Sequence, residues 1–111
     1  MTDNAYEDVR LQLAEEMQNA VNCACYFQPP ENLKLTYPCI IYSLNDVNVV
    51  YASDGPYIEL LNFEIIYITK DPLPKELQTL VYVLNRSCGR TYVADNLHHF
   101  VFNVTRTSNC R

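Results

Sequence analysis

The chain has 111 residues, 49% of them hydrophobic and 19% charged, with a formal net charge of -5. That length holds one domain and excludes two, and the hydrophobic share is enough for a real core. The acidic balance argues against nucleic acid as the main partner, because phosphate binding draws on clustered Lys and Arg.

The elements follow in chain order. Residues 3–22 read as an amphipathic helix, capped by Asp3 or Asn4, with acidic first turns suited to the positive end of the helix dipole. Tyr6, Val9, Leu13, Met17 and Ala20 form its apolar stripe, which Val21 and Ala24 extend. Cys25-Tyr26-Phe27 is a short strand stopped by Pro29-Pro30, and residues 28–37 are a loop. Cys39 to Leu44 is a stronger strand, followed by Asn45-Asp46 as a turn signal. Val47 to Tyr51 is a possible second hairpin arm, and Ser53-Asp54-Gly55-Pro56 breaks it. Tyr57 to Thr69 is the longest strand. Leu61, Phe63, Ile65 and Tyr67 form its core face. The other face mixes Ile58, Leu60, Ile66 and Ile68 with Asn62 and Glu64, and wants cover from a helix or another subunit. Asp71-Pro72-Leu73-Pro74 ends the strand and opens a second helix, whose stripe is Leu77, Leu80, Val81 and Leu84. Cys88 to Ala94 and His99 to Thr105 form a closing hairpin about Asp95-Asn96, and residues 106–111 read as a polar tail. Nine tyrosines, no tryptophan and two glycines suit a β-rich chain whose turns use Asn, Asp and Pro. The expected fold is α+β: a mostly antiparallel sheet with two helices packed on it, in one domain covering residues 1–111.

Charge is unevenly placed. Residues 1–16 carry a net -4, and residues 85–111 a net +3 from Arg86, Arg90, Arg106 and Arg111 against Asp95. Opposite signs at two ends suit head-to-tail association; scatter over solvated faces is the plainer reading. The five cysteines are Cys23, Cys25, Cys39, Cys88 and Cys110. The count is odd and the first residues are acidic, without an apolar leader, so free thiols in a reducing compartment are the expectation. No run approaches 18 apolar residues, so no membrane span is expected.

A search for chemistry yields little. Two glycines cannot build a phosphate loop. Cys23-x-Cys25 is half a zinc site, but a second ligand pair is lacking, since the adjacent His98 and His99 point to opposite faces of a strand. A Cys88–histidine nucleophile pair would also need an orienting group and oxyanion donors; Asp95 lies nearby, but no local signature supports the set. The expectation is therefore a protein that is not an enzyme, with no catalytic residue, no cofactor and no metal.

Three stretches bear a resemblance. Pro29-Pro30-Glu31-Asn32-Leu33-Lys34-Leu35-Thr36-Tyr37-Pro38-Cys39-Ile40-Ile41-Tyr42 resembles a phrase of phage tail-terminator (tail completion) proteins. Phe63-Glu64-Ile65-Ile66-Tyr67-Ile68-Thr69-Lys70-Asp71-Pro72 does so too, as does Thr91-Tyr92-Val93-Ala94-Asp95-Asn96-Leu97-His98-His99-Phe100-Val101-Phe102. Together they span about residues 25–104 in the family's order; residues 105–111 match no phrase. The resemblance implies an α+β subunit of a homohexameric ring in the virion, at the head-proximal end of a tail and assembled in the host cytoplasm. Such a ring ends tail-tube polymerisation and joins the tail to the neck. Its implied partners are copies of itself, the tail tube protein and a head-completion or neck protein. No membrane and no sequence-specific nucleic acid are implied, with DNA free to pass through the ring. A neck or head-closure adaptor ring is the nearest alternative. A cellular protein-binding module and a thiol enzyme are alternatives of other classes.

On this reading Asp46, Val47, Asn48, Val49, Val50, Tyr51, Ser53 and Asp54 form a loop that projects from the sheet and meets the tube or another partner; an ordinary hairpin loop is the plain alternative. Asn62 and Glu64 on the mixed face, with Arg86, Arg90 and Arg106, are the candidate subunit interface; cover of that face by the second helix is the alternative.

Overall fold

A computed structural model describes residues 4–52 and 55–109, and only the backbone of Ala52, Pro56, Tyr57 and Asn109. Helix α1 (Ala5–Ala20) is followed by β1 (Ala24–Phe27), β2 (Cys39–Ala52), β3 (Gly55–Thr69), α2 (Glu76–Leu84), β4 (Arg90–Ala94) and β5 (Leu97–Asn109). The strands form one sheet in the order β1-β2-β3-β5-β4, antiparallel throughout except that β1 runs parallel to β2. This is the α+β domain expected from the element order.

The helices follow from local chemistry. Asn4 caps α1 by accepting the Glu7 amide at 3.0 Å. Leu13 and Met17, one turn apart, are fully buried, whereas Tyr6 from the expected stripe stays exposed. The second helix starts at Glu76, not at the prolines. Asp71 turns the preceding segment instead: its carboxylate accepts the Leu73 amide, and its own amide donates to the Thr69 hydroxyl. Asn85 ends α2 in the left-handed region, φ 55°, where asparagine is one of the few tolerated side chains.

Leu61, Phe63, Ile65 and Tyr67 of β3 are buried under α1 and α2, with Ile40 and Tyr42 from β2 and Phe100, Phe102 and Val104 from β5. Arg10 and Glu16 pin α1 across three strands. The Arg10 guanidinium lies 4.8 Å from the Phe27 ring centroid, donates to the Tyr42 hydroxyl at 3.1 Å and pairs with Glu7. Glu16 accepts from Arg106 of β5 at 2.9 and 3.0 Å.

Two expected breaks do not occur. Asn45-Asp46 is a β-bulge, not a turn: β2 shifts register between Leu44 and Asp46 and runs on to Ala52. The extra residue switches parity, so Ile40, Tyr42 and Leu44 pair with core positions below it, and Val47, opposite Leu61, does so above it. The polar 106–111 tail is also corrected: β5 pairs with β3 as far as Asn109, and Ser108 is buried; residues 110–111 lie outside the described residues. Hydroxyls and Thr-rich polarity disguised a strand as a tail. The last hairpin has strands Arg90–Ala94 and Leu97–Asn109, so Cys88 precedes its first strand. Its two-residue turn is Asp95-Asn96, with φ 53° and 63°, as a tight hairpin requires.

Candidate functional site

The sheet divides into two levels. At the lower level it has all five strands. Above it, β2, β3 and β5 continue alone: β1 reaches only Tyr42 of β2, and β4 only Val101 of β5. The outer side of β2 is used once more, where Gln28 donates its amide to the Tyr42 carbonyl and accepts the Leu44 amide on its side chain. Beyond these contacts, among the described residues, no backbone hydrogen bond reaches the outer side of 45–52 or of 102–109. Among the described residues, two strand edges are thus bare, on opposite sides of one three-stranded extension.

The expected partner-contact loop is therefore strand. Asp46, Val47, Asn48, Val49, Val50 and Tyr51 belong to β2 and pair with β3; Ser53 and Asp54 lie outside the described residues. Their exposure is nonetheless real: Val50 is 46% and Tyr51 69% accessible, at an edge that carries no Lys, Arg or Pro between residues 43 and 52.

The mixed face of β3 looks away from both helices. In the extension it is a polar ladder: Asp46, Asn62 and Thr105 are level across β2, β3 and β5. The Asn62 amide donates to Asp46, Asn48 donates to the same carboxylate at 3.4 Å, and the Thr105 hydroxyl donates to Asn62 at 2.5 Å. Glu64, half-buried, sits between Ser43 and Asn103. Lower down the face turns apolar, with Cys39, Ile68 and Val101 buried. The 28–38 loop lies against its β2 side, where Pro29, Leu33 and Leu35 line an open groove of about 550 Å³ with Ile41 and Ser43. The cover over this face is a loop, and neither helix supplies it.

The arginines separate. Arg106 is held by Glu16 of its own chain. Arg90 lies over the Tyr92 ring at 5.1 Å, and Tyr92 stacks on His99 with centroids 4.5 Å apart. Arg86 is exposed just past α2 and lines a polar recess with Asn85, Thr105 and Arg106 beside β5. Two of these three candidates thus sit next to the bare β5 edge.

The cysteines gather elsewhere. Cys23, Cys25 and Cys39 sit at the lower end of the sheet with Tyr67 and Glu76, and all three are free thiols. A hydrogen bond between Cys23 and Cys25 lowers the Cys23 pKa and, together with burial, raises that of Cys25. Burial and then the charge of Cys23 push Cys39 up to about 11. Tyr67 rises to about 12, through burial and then Glu76. Among the described residues no group of three or more His, Cys, Asp or Glu side chains is arranged to hold a metal. Cys88 donates to the Arg90 carbonyl at 3.5 Å, and His99 Nδ1 lies 3.0 Å from the Leu97 carbonyl; no described hydrogen bond joins Cys88 to either histidine. No described helix is long and apolar enough to cross a membrane.

Sequence reasoning missed the β5 edge, because a strand rich in Thr, Ser and Asn reads as a tail. It also missed Glu16 as the partner of Arg106, ninety residues away. Compared with known proteins, the chain matches no family model and no curated protein.

Proposed function

We propose that this chain is a structural, non-enzymatic ring subunit of a phage tail: a tail terminator that stops tube growth and joins tail to neck. The observation that carries the reading is the shape of the sheet. Its β2–β3–β5 extension stands clear of β1 and β4 and makes the molecule long, 51 × 28 × 23 Å, as a stave is long. Its radius of gyration, 15.3 Å, exceeds the ~13 Å of an ordinary compact domain of this length. The three stretches that resemble the terminator family support the same reading. They map to the 28–38 loop with the lower β2, the lower end of β3, and the β4–β5 hairpin, which are adjacent parts of the lower level.

In this reading copies of the chain form a homohexamer, assembled in the host cytoplasm and carried in the virion. The end of the β2–β3 hairpin, with Val50 and Tyr51, meets the tail tube, and the other end of the ring meets the neck protein. The test combines imaging with assembly. Negative-stain and native mass measurements on the purified chain with tail tubes should give a six-fold ring at tube ends and tubes of uniform length. Replacing residues 51–57 by Asn-Gly, a two-residue turn that preserves the hairpin, should leave the fold intact and lengthen the tubes. Uniform tubes in the absence of the chain would refute the function. A ring that binds neck protein but ignores tubes would favour the adaptor reading.

A further inference from the structure

We infer that copies of this chain join by backbone pairing, the bare β2 edge at residues 45–52 of one copy adding to the bare β5 edge at residues 102–109 of the next. This deepens the ring reading above, and rests on it, by naming the surface and its chemistry.

Four observations converge. First, both edges carry backbone groups without a backbone partner among the described residues, and a strand in that state is a template for another strand. Natural edges of this length are commonly guarded by Lys, Pro or bulges; residues 43–52 have no Lys or Pro, and their register shifts at Leu44/Asp46 and Val50/Tyr51 leave Asp46–Val50 as the regular stretch for pairing. Val50 and Tyr51 lie exposed there instead, side chains that suit a paired strand better than a solvated one. Second, the complement is on the same molecule. The edges lie on opposite sides of one sheet, so pairing one copy's β2 with the next copy's β5 uses both and leaves neither bare, which is a heterologous interface. A two-fold dimer through β2 alone would leave β5 unpaired.

Third, the edges are level. Asp46 reaches Thr105 through Asn62, Val47 reaches Arg106 through Leu61, and Asn48 reaches Thr107 through Leu60. A neighbour generated by rotation about an axis near the strand direction therefore needs little shift along it, the condition for closing a ring rather than growing a filament. Because β2 and β5 both run antiparallel to β3, the new pairing is parallel. Fourth, the charges match. Residues 43–52 of the β2 edge carry Asp46 and no Lys or Arg. The β5 side carries the exposed Arg86, beside Arg106 that Glu16 already pairs. Opposite signs steer this docking and disfavour pairing of like edges.

Hydrogen exchange on the assembled ring, compared with the chain diluted to monomer, tests the pairing directly. Amides within 45–52 and within 102–109 should gain protection together on assembly, in an alternating pattern. A companion pair of variants tests it by mutation. Val50→Lys, a charge on the edge, should lose the ring at concentrations where the parent chain is assembled. Val50→Thr, which keeps strand propensity, should retain it. Circular dichroism of the Lys variant checks that its fold is unchanged. Should that variant unfold, the exchange pattern of the parent ring decides alone. A ring that forms without new protection at both stretches overturns the pairing and leaves the terminator reading standing. A parent chain that stays monomeric at high concentration and on tubes overturns both.

Discussion

Below the bulge and above it, the same three strands live in different surroundings. Below, Tyr42, Ile65 and Phe102 are level across the sheet, buried under the helices, with β1 and β4 completing its flanks. Above, Asn48, Leu60 and Thr107 are level, the outer edges are bare, and polar side chains bridge strand to strand. One level holds the fold together, and the other offers backbone and surface to something else. The bulge at Asn45-Asp46 is what lets β2 serve both, since it keeps Val47 on the core side while the strand leaves the shelter of β1.

The sharpest way to break this division is to truncate one large side chain at each level. Phe102→Ala removes a fully buried ring and should cost about 3–5 kcal/mol in urea unfolding, with the slope unchanged. Tyr51→Ser, at a position 69% exposed, should change stability by no more than about 0.5 kcal/mol. Comparable costs for the two would mean that the extension is part of the stability core.

Alkali should also strike the lower level first. Cys39 and Tyr67 hold their protons more tightly folded than unfolded, because both are buried. The stability they contribute is therefore complete below the unfolded pKa of each group. For Cys39 it falls between pH 9.0 and about 11, and for Tyr67 between 10.0 and about 12. Each group adds a slope of about 1.4 kcal/mol per pH unit across its window. Unfolding free energies measured from pH 8 to 11 should fall, and Cys39→Ala should flatten the first part of that fall. An unaltered slope in the variant would mean that the Cys39 thiol does not carry it.

What could be read from the residues divides along the same line. The lower level was legible because its signals are apolar and periodic: Phe63, Ile65 and Tyr67 alternate, Leu13 and Met17 sit one turn apart, and Asp95-Asn96 announces a tight turn. The upper level was not. A bulge is a local two-residue event, and Asn45-Asp46 reads identically as a turn. The end of β5 is a strand because β3 lies beside it, a non-local cause that Thr, Ser and Asn do not advertise. The polar residues chosen for an interface, Asn62 and Arg106, turned out to have partners within the chain, which only the sheet register and the path of α1 determine. Exposure of Val50 and Tyr51 was legible; that they lie on a strand edge was not.

Smaller effects sharpen the upper level. Asn62→Ala removes the middle of the ladder, leaving Thr105 to water and Asp46 with Asn48 alone. It should cost about 0.5–1.5 kcal/mol, the range for a typical intramolecular hydrogen bond, and raise amide exchange near Thr105 more than near Phe100. Uniform loss of protection along β5 would show that the two levels unfold as one.

The smallest expected effect concerns the tie between the levels. Arg106 stands on the upper part of β5 and reaches Glu16 of α1, whose neighbours Leu13 and Met17 are buried in the core. Both side chains are partly exposed, 25% and 33%, so the attraction is screened by solvent and salt. Arg106→Met keeps much of the aliphatic stem and discards the charge, and should lower stability by about 0.2–1 kcal/mol at low salt. That difference should shrink in 0.5 M salt, because the Debye length is then about 4 Å. The double variant with Glu16→Gln separates the pair from its parts: if the guanidinium acts through Glu16, the second change adds almost nothing to the first. Full additivity would mean that Arg106 works on something other than Glu16, and the neighbouring copy across the β5 edge would then be the place to look.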